Sequence, residues 1–345
     1  MKHNGAISRT AAEIELKPTD WLWPERIPMN AITVLAGDPG LGKSLLTIGL
    51  VAKLSRDELG RQQGNALMLT AEDSLAQTVR PRLEAAQADI RRVHFGWMNR
   101  GGLETPILLP DDIQGLRRLV LEHEARLVVV DPLMAHLGGT INSWKDQMIR
   151  HALAPLHSLA DDTGVAVLVV AHLNKGQGSD PLHRLGGSIG IPAAARSVLL
   201  LGRDPDNPDG NRRILAHAKS NVGPLAPSLL FTVDGVTLSS SGVETARISD
   251  LGHSPHRAED LLSIERRERG AELAKAVAFL EEALHEGPKL ARDLTETAER
   301  AGISPTTLKR ARQKLDVEST KLDFDRGWGW SLPTAESGGN ESREQ

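Results

Sequence analysis

The chain contains no cysteine and no tyrosine, and aromatic residues make up only 3% of its 345 positions. The first absence excludes disulfides and thiolate metal sites and suits a cytoplasmic protein. The scarcity of aromatics argues against a broad platform on which nucleic-acid bases stack. No apolar run approaches the roughly 18 residues of a membrane span. The start, Met1-Lys2-His3-Asn4, lacks the apolar core of a signal peptide. The expected localisation is therefore cytoplasmic, with no membrane partner. A charge excess is missing as well: the net charge is −4, so any contact with nucleic acid must come from local patches or an assembled pore. What is present is 40% hydrophobic residues, enough for a real core in one large domain plus a small one.

The most informative stretch is Ala31-Ile-Thr-Val-Leu-Ala-Gly-Asp-Pro-Gly-Leu-Gly-Lys-Ser-Leu-Leu46. A buried strand delivers the chain to a tight loop, where glycines let backbone N–H groups curl around a phosphate. The helix that follows aims its N-terminal dipole at the same anion. Gly37, Asp38, Pro39, Gly40, Leu41, Gly42, Lys43, Ser44 and Leu45 are the expected nucleotide-binding segment. Lys43 would reach the β- and γ-phosphates and the Ser44 hydroxyl would ligate Mg²⁺. The expected cofactors are a nucleoside triphosphate and Mg²⁺.

Apolar strands alternate with helical segments from Trp21 to about Asp250, the pattern of an α/β fold with a mainly parallel sheet. Strands are read at Ile32–Ala36, Ala66–Thr70, Val93–Gly96, Leu127–Asp131, Val165–Ala171 and Ser197–Leu201. Ile214–Ala218 and Leu229–Val233 have no helix between them and form an antiparallel extension. Helices are expected near Lys43–Leu54, Leu75–Ala88, Asp112–His123 and Trp144–Asp161.

The domain plan is an arm over 1–20, an ATPase domain over 21–250, a linker over 251–267, a small domain over 268–333 and a disordered polar tail over 334–345. Within the small domain, three helical segments precede a hairpin turning at Asp325-Arg326-Gly327, a winged helix-turn-helix pattern. Ser304 and Pro305 suit the N-cap and first turn of its third helix.

Other strand ends carry the remaining chemistry. Leu127-Val-Val-Val-Asp131 places a carboxylate where ligands of open α/β sheets bind, opposite Ser44 as a Mg²⁺ partner; it also reads as a strand-ending Asp before a turn. Glu72 closes a second strand, with Asp73 as the helix cap. Its place resembles that of the glutamate that polarises the attacking water in RecA-like ATPases, which implies that Glu72 is the general base. The alternative is an acid that suits a helix N-terminus. His172, ahead of Asn174-Lys175, is either a γ-phosphate sensor or a structural histidine.

Trp21-Leu-Trp-Pro24 with Arg26-Ile-Pro28, the P-loop, Ala71-Glu72-Asp73, Val130-Asp131-Pro132 and His172-x-Asn-Lys175 occur in this order. Gly187-Ser188, Arg196 and Lys219-Ser-Asn221-x-Gly223 follow. Over about residues 20–235 the set resembles RecA-type ring ATPases of the plasmid RepA replicative-helicase group, found on phages and mobile elements. The resemblance implies a RecA-like P-loop NTPase fold and a homo-oligomeric ring, usually hexameric, with ATP bound between subunits. It also implies that Arg196 is an arginine finger reaching the neighbour's γ-phosphate, with Lys219 near the same interface; an ordinary surface arginine on a helix over Ile191–Arg196 is the alternative. Such relatives usually show Gly where this chain has Glu25 and Asn30, and Asn221 stands where DnaB-type helicases carry an arginine.

By the same resemblance, loops Leu133–Ser143 and Lys175–Ile189 would line a central channel, with Lys145, Lys175 and Arg184 as cations for single-stranded DNA. They also read as ordinary surface loops. Lys309, Arg310, Arg312 and Lys314 form a basic helix face that would contact duplex DNA or, alternatively, dock a protein. Trp328 and Trp330 alternate around Gly329 and are expected in the core. The function expected is an ATP-hydrolysing ring translocase or replicative helicase, with a primase or an initiator as replication partners. The alternatives are an ATP-regulated duplex-binding regulator or helicase loader, and a recombination or repair ATPase of the same fold.

Overall fold

The structure is a computed structural model that describes residues 8–60, 63–139, 141, 145–173, 190–208, 210–323 and 327–333; of 264–269, 322 and 323 it describes the backbone alone. Two compact units divide the chain, Met1–Leu262 and Ser263–Gln345.

Nine strands of the first unit form one sheet: β1 (Ile32–Gly37), β2 (Asn65–Thr70), β3 (Val93–Phe95), β4 (Ala125–Asp131), β5 (Ala166–His172), β6 (Ser197–Arg203), β7 (Arg212–Ser220), β8 (Ser228–Thr237) and β9 (Glu244–Ser254). Their order across the sheet is β9-β8-β7-β6-β1-β5-β4-β2-β3. From β6 to β3 every pairing is parallel, and β7, β8 and β9 add an antiparallel extension.

Alternation along the central strands explains their near-continuous apolar sequence. Ile32, Val34 and Ala36 of β1 enter one core cluster and Leu35 the other. Val128 and Val130 divide from Leu127 and Val129 in the same way. Period-2 side chains thus pack on both faces, as a parallel sheet covered by helices requires. One face holds α1 (Lys43–Ser55) and α2 (Arg80–Ala85), through Leu46, Leu50, Leu54 and Leu83. The other holds α3 (Ile113–Glu122) and α4 (Asp146–Thr163), through Leu116, Val120, Leu153 and Leu156.

Several expectations change. Leu75–Ala88 is not one α-helix: Leu75–Val79 forms a wider π-type turn before α2, and Gln87 has φ 59. The helix α5 (Gly190–Ala194) ends before Arg196. The linker over 251–267 is replaced by the end of β9 and by α6 (Ala258–Leu284), with the unit boundary inside that helix. Composition is a poor guide there, because Glu, Arg, Leu and Ala are good helix formers whatever their charge. β9 escapes notice because it is an edge strand with a polar sequence, held by its pairing with β8 more than by burial.

In the second unit, α6 is followed by β10 (Lys289–Leu290), α7 (Ala291–Arg300), α8 (Pro305–Lys314), β11 (Glu318–Asp323) and β12 (Gly327–Ser331). The three strands form a sheet in the order β10-β12-β11. Ser304 caps α8 by accepting from the Thr307 N–H. The Arg312 guanidinium lies 3.8 Å from the Trp330 ring centroid and donates to the Ser319 hydroxyl. Arg312 therefore clamps α8 to the hairpin and leaves the basic face, whereas Lys309, Arg310 and Lys314 are exposed. Trp330 is buried as expected, but Trp328 is 62% exposed, which corrects its assignment to the core.

Trp21–Trp23 and Ile27–Pro28 pair as a short hairpin ahead of β1. Glu25 at φ 62 and Asn30 at φ 59 are left-handed, which accounts for the glycines of the resembling group at these places. Asn tolerates that region better than Glu. Glu25→Gly is expected to raise unfolding stability by about 1 kcal/mol, read by thermal or urea denaturation. Arg312→Lys keeps the charge but loses the planar stack, and should lower the melting transition of the second unit in the full chain by about 1 kcal/mol of stability.

Candidate nucleotide site

The C-terminal ends of β1, β5, β4 and β2 lie side by side. Gly37 of β1 pairs with His172 of β5, and Asp131 of β4 pairs with Thr70 of β2, two residues before Glu72. The P-loop curls from Gly37 into α1 with Gly40 at φ 78 and Gly42, the N-cap, at φ 91. A Cβ on Gly37 would stand 2.5 Å from the Leu201 carbonyl oxygen of β6, so the strand can pass into the loop there only as glycine.

Lys43 is buried at the first position of α1, and its Nζ donates to the carbonyls of Gly37 and Asp38, both at 2.9 Å. Burial lowers its pKa, and Asp131, Asp38 and Glu72 oppose that shift in decreasing order. Asp131 is 8% exposed and its pKa is raised to about 6. Burial is the main cause; the Ser44 hydroxyl, which donates to this carboxylate, pulls it down, Asp73 pushes it up, and Lys43 and Glu72 follow with opposite signs. The Thr47 hydroxyl donates to the Ser44 carbonyl at 2.8 Å and stands 3.5 Å from Asp131 Oδ2.

Sequence reading missed Thr47, although its position one turn after Ser44 is the available signal. Hydroxyl and carboxylate oxygens in this arrangement are the hard donor set that suits Mg²⁺. A divalent cation would also relieve the crowding of Asp131 by Asp73 and Glu72.

His172 is half-buried, and its Nδ1 is buried with no hydrogen-bond partner among the described residues. Burial, then the neighbouring Lys43, lowers its pKa, so the ring is held neutral and its buried nitrogen fits a polar ligand beside the P-loop. Glu72 is exposed at the mouth, within electrostatic reach of Lys43, Asp131 and His172. Asp73 is not the helix cap: Ser74 accepts from the Gln77 N–H, and Asp73 pairs with Arg82 at 3.0 Å. Arg213 of β7, also unforeseen, donates from Nε to the Leu41 carbonyl and so holds the tip of the P-loop.

Arg196 and Lys219 are elsewhere. The Arg196 N–H donates to the carbonyl of Ile32, the first residue of β1, whereas the P-loop begins at its last. Five residue steps along a strand put roughly 17 Å between them. Lys219 of β7 donates to the carbonyls of Pro192 and Ala195 at that same edge. Neither residue joins the nucleotide site of its own chain.

The stretch after Asp131 is not an open loop at its start. Leu133 and His136 are buried, and His136 Nδ1 lies 2.8 Å from the Ile107 carbonyl oxygen. Lys145 is exposed ahead of α4. Asn174, Lys175, Arg184, Gly187 and Ser188 lie outside the described residues.

A strand-loop-helix phosphate cradle, a strand-end carboxylate touching its serine, and a parallel sheet covered on both faces define a RecA-like P-loop ATPase domain. Residues 7–178 match the family model described as an AAA domain. Among curated proteins, the chain is similar to the DNA repair protein RadA of Halalkalibacterium halodurans, 24% identical over 148 residues, or 42% of this chain. RadA of Bacillus subtilis is 25% identical over 151 residues, again 42% of this chain. The alignments span 28% of those relatives' length. A solved structure described as the ATPase domain of G40P matches with a TM-score of 0.45 at 16% identity, covering 59% of this chain and 81% of that one.

The state of Asp131 is directly testable. Its folded pKa exceeds its ordinary value of 3.8, so the fold gains stability from this group at acid pH and loses it as pH rises from about 4 through about 6. Asp131→Asn should therefore stabilise the metal-free protein at pH 8 by roughly 1–3 kcal/mol, measured by denaturation. The same variant should lose at least about a hundredfold in Mg²⁺-dependent ATP hydrolysis.

Proposed function

We propose that this chain is a ring-forming, DNA-dependent ATPase that translocates on single-stranded DNA, a replicative helicase of a plasmid, phage or integrated element. The observation that carries the proposal is the division of its charged groups. Lys43, Ser44, Glu72, Asp131 and His172 gather at one edge of the sheet, while Arg196 and Lys219 sit at the other, roughly 17 Å away. In this reading a neighbour brings an arginine to the phosphates, and head-to-tail repetition of such a contact gives a ring when its rotation closes.

In this reading Lys43 exchanges its bonds to the Gly37 and Asp38 carbonyls for the β- and γ-phosphates of ATP. Ser44 and Asp131 hold Mg²⁺, which neutralises phosphate charge when bound. Glu72, exposed at the mouth, accepts a proton from the attacking water. His172 keeps a neutral, buried nitrogen beside the γ-phosphate and passes its loss to the segment beyond β5. Arg196 of the adjacent subunit meets the charge that develops in the transition state. The RadA relatives are described as DNA repair proteins, which supports a DNA partner for this chain.

The second unit supports a second reading. Its order of helix, strand, helix, helix and hairpin supports reading it as a winged helix-turn-helix domain, and Lys309, Arg310 and Lys314 remain exposed on α8. That face, with Trp328 exposed on β12, would read duplex DNA in a regulator or loader whose ATP site serves assembly.

Two measurements decide. Single-stranded DNA should stimulate ATPase activity at least about tenfold, and forked DNA should be unwound with ATP but not by Lys43→Ala; preference for duplex with no unwinding favours the regulator. Mixing inactive Lys43→Ala and Arg196→Ala chains should restore ATPase activity, because one brings the P-loop and the other the arginine. Absence of recovery would overturn the shared site.

A further inference from the structure

Arg196 and Lys219 are each one or two residues from a buried polar side chain, and those side chains touch. Ser197 is fully buried and its Oγ donates to the Arg26 carbonyl at 2.6 Å. The same oxygen lies 3.1 Å from His217 Nε2. His217, 6% exposed, accepts at Nδ1 from the Ala226 N–H at 3.0 Å. Since Ser197 spends its only proton on Arg26 and Nδ1 is an acceptor, His217 carries its proton on Nε2 and donates it to Ser197. Arg26, 8% exposed, closes the circuit by donating to the Pro227 carbonyl at 2.6 Å and standing 5.2 Å from the Trp23 ring centroid. The leading hairpin is thereby tied to β6, to β7 and to the turn after β7.

The ladder between β6 and β7 breaks register at this point. Val198 pairs with Lys219 and Leu199 with His217, which leaves Ala218 as an extra residue. Without that bulge, His217 and Lys219 would share a face. With it, His217 lies on the Leu199 side with the hairpin, and Lys219 on the Val198 side against the carbonyls of Pro192 and Ala195. The backbone of Arg196 is pinned as well, through Ile32 on one side and the Asn221 N–H on the other, at 2.9 and 2.8 Å.

We propose that Ser197 and His217, anchored on the backbone of Arg26, are positioning residues that hold Arg196 and Lys219 in the geometry needed by the neighbouring subunit's nucleotide site. The assignment rests on the reading of Arg196 as a residue acting in trans. The circuit needs His217 neutral. Burial lowers its pKa, the Lys219 carbonyl raises it, and the charges facing it from the hairpin, Arg26 and Glu25, push down and up in turn.

The test uses the full chain in the mixture of Lys43→Ala and Arg196→Ala subunits, where only the first supplies the arginine and only the second a competent P-loop. Ser197→Ala placed on the Lys43→Ala subunit should lower the recovered kcat about tenfold with KM for ATP unchanged. Placed on the Arg196→Ala subunit, it should leave the recovered rate within about twofold. His217→Ala should repeat that asymmetry. His217→Gln, whose amide N–H can still reach the Ser197 oxygen, should keep most of the activity. Equal loss from either subunit, as a folding defect would give, or no loss from either, overturns the positioning role. If the parent mixture shows no recovery, the shared site falls and this assignment falls with it.

Discussion

β1 is buried along all six of its residues and paired in parallel on both sides, and nearly everything else in the first unit depends on that placement. A strand in such a position must end in a loop at one edge of the sheet and begin at the other. Its last residue, Gly37, is pressed against the Leu201 carbonyl, so the exit into the P-loop is a close backbone crossing that admits no side chain. Its first residue, Ile32, accepts from the Arg196 N–H. The polarity of one strand therefore sets where phosphate would be held and which edge of the sheet Arg196 occupies.

The charges at the P-loop edge are costly in isolation and mutually supportive. A buried ammonium loses solvation that carbonyl partners only partly replace. Lys43 has two such carbonyls, and its largest compensating charge is Asp131, itself crowded by Asp73 and Glu72. Polyphosphate with a divalent cation is complementary to both excesses, which is why the arrangement reads as a nucleotide site beyond its motif. The opposite edge is organised differently, by neutral hydrogen bonds among Ser197, His217 and backbone carbonyls.

The parts legible in sequence were those whose physics is local. An apolar β-branched run stays a strand in any context that covers both faces, and all eight strands read from the sequence were found with small changes of boundary. Gly40 and Gly42 mark left-handed backbone because few other residues accept it, and Ser304 marks a helix start because its hydroxyl serves the exposed N–H groups. β9 and the first half of α6 were illegible for the converse reason. Their sequences are polar and mixed, and their conformation comes from an edge pairing or from helix propensity without an apolar stripe. Arg312 looked like one of four equivalent cations, and only the Trp330 ring beneath it separates it from the other three.

The sequence by itself determined that this chain has a phosphate-binding loop, strand-end acids to accompany it and a second, smaller unit, because those features follow from residue type and spacing along a few contiguous positions. Which edge of the sheet each charge occupies was decided only in three dimensions. Arg196 and Lys219 are far from the P-loop because β6 starts beside the start of β1, and a one-residue bulge turns Lys219 away from His217. Register and strand direction relate residues distant in sequence, and no local pattern encodes them.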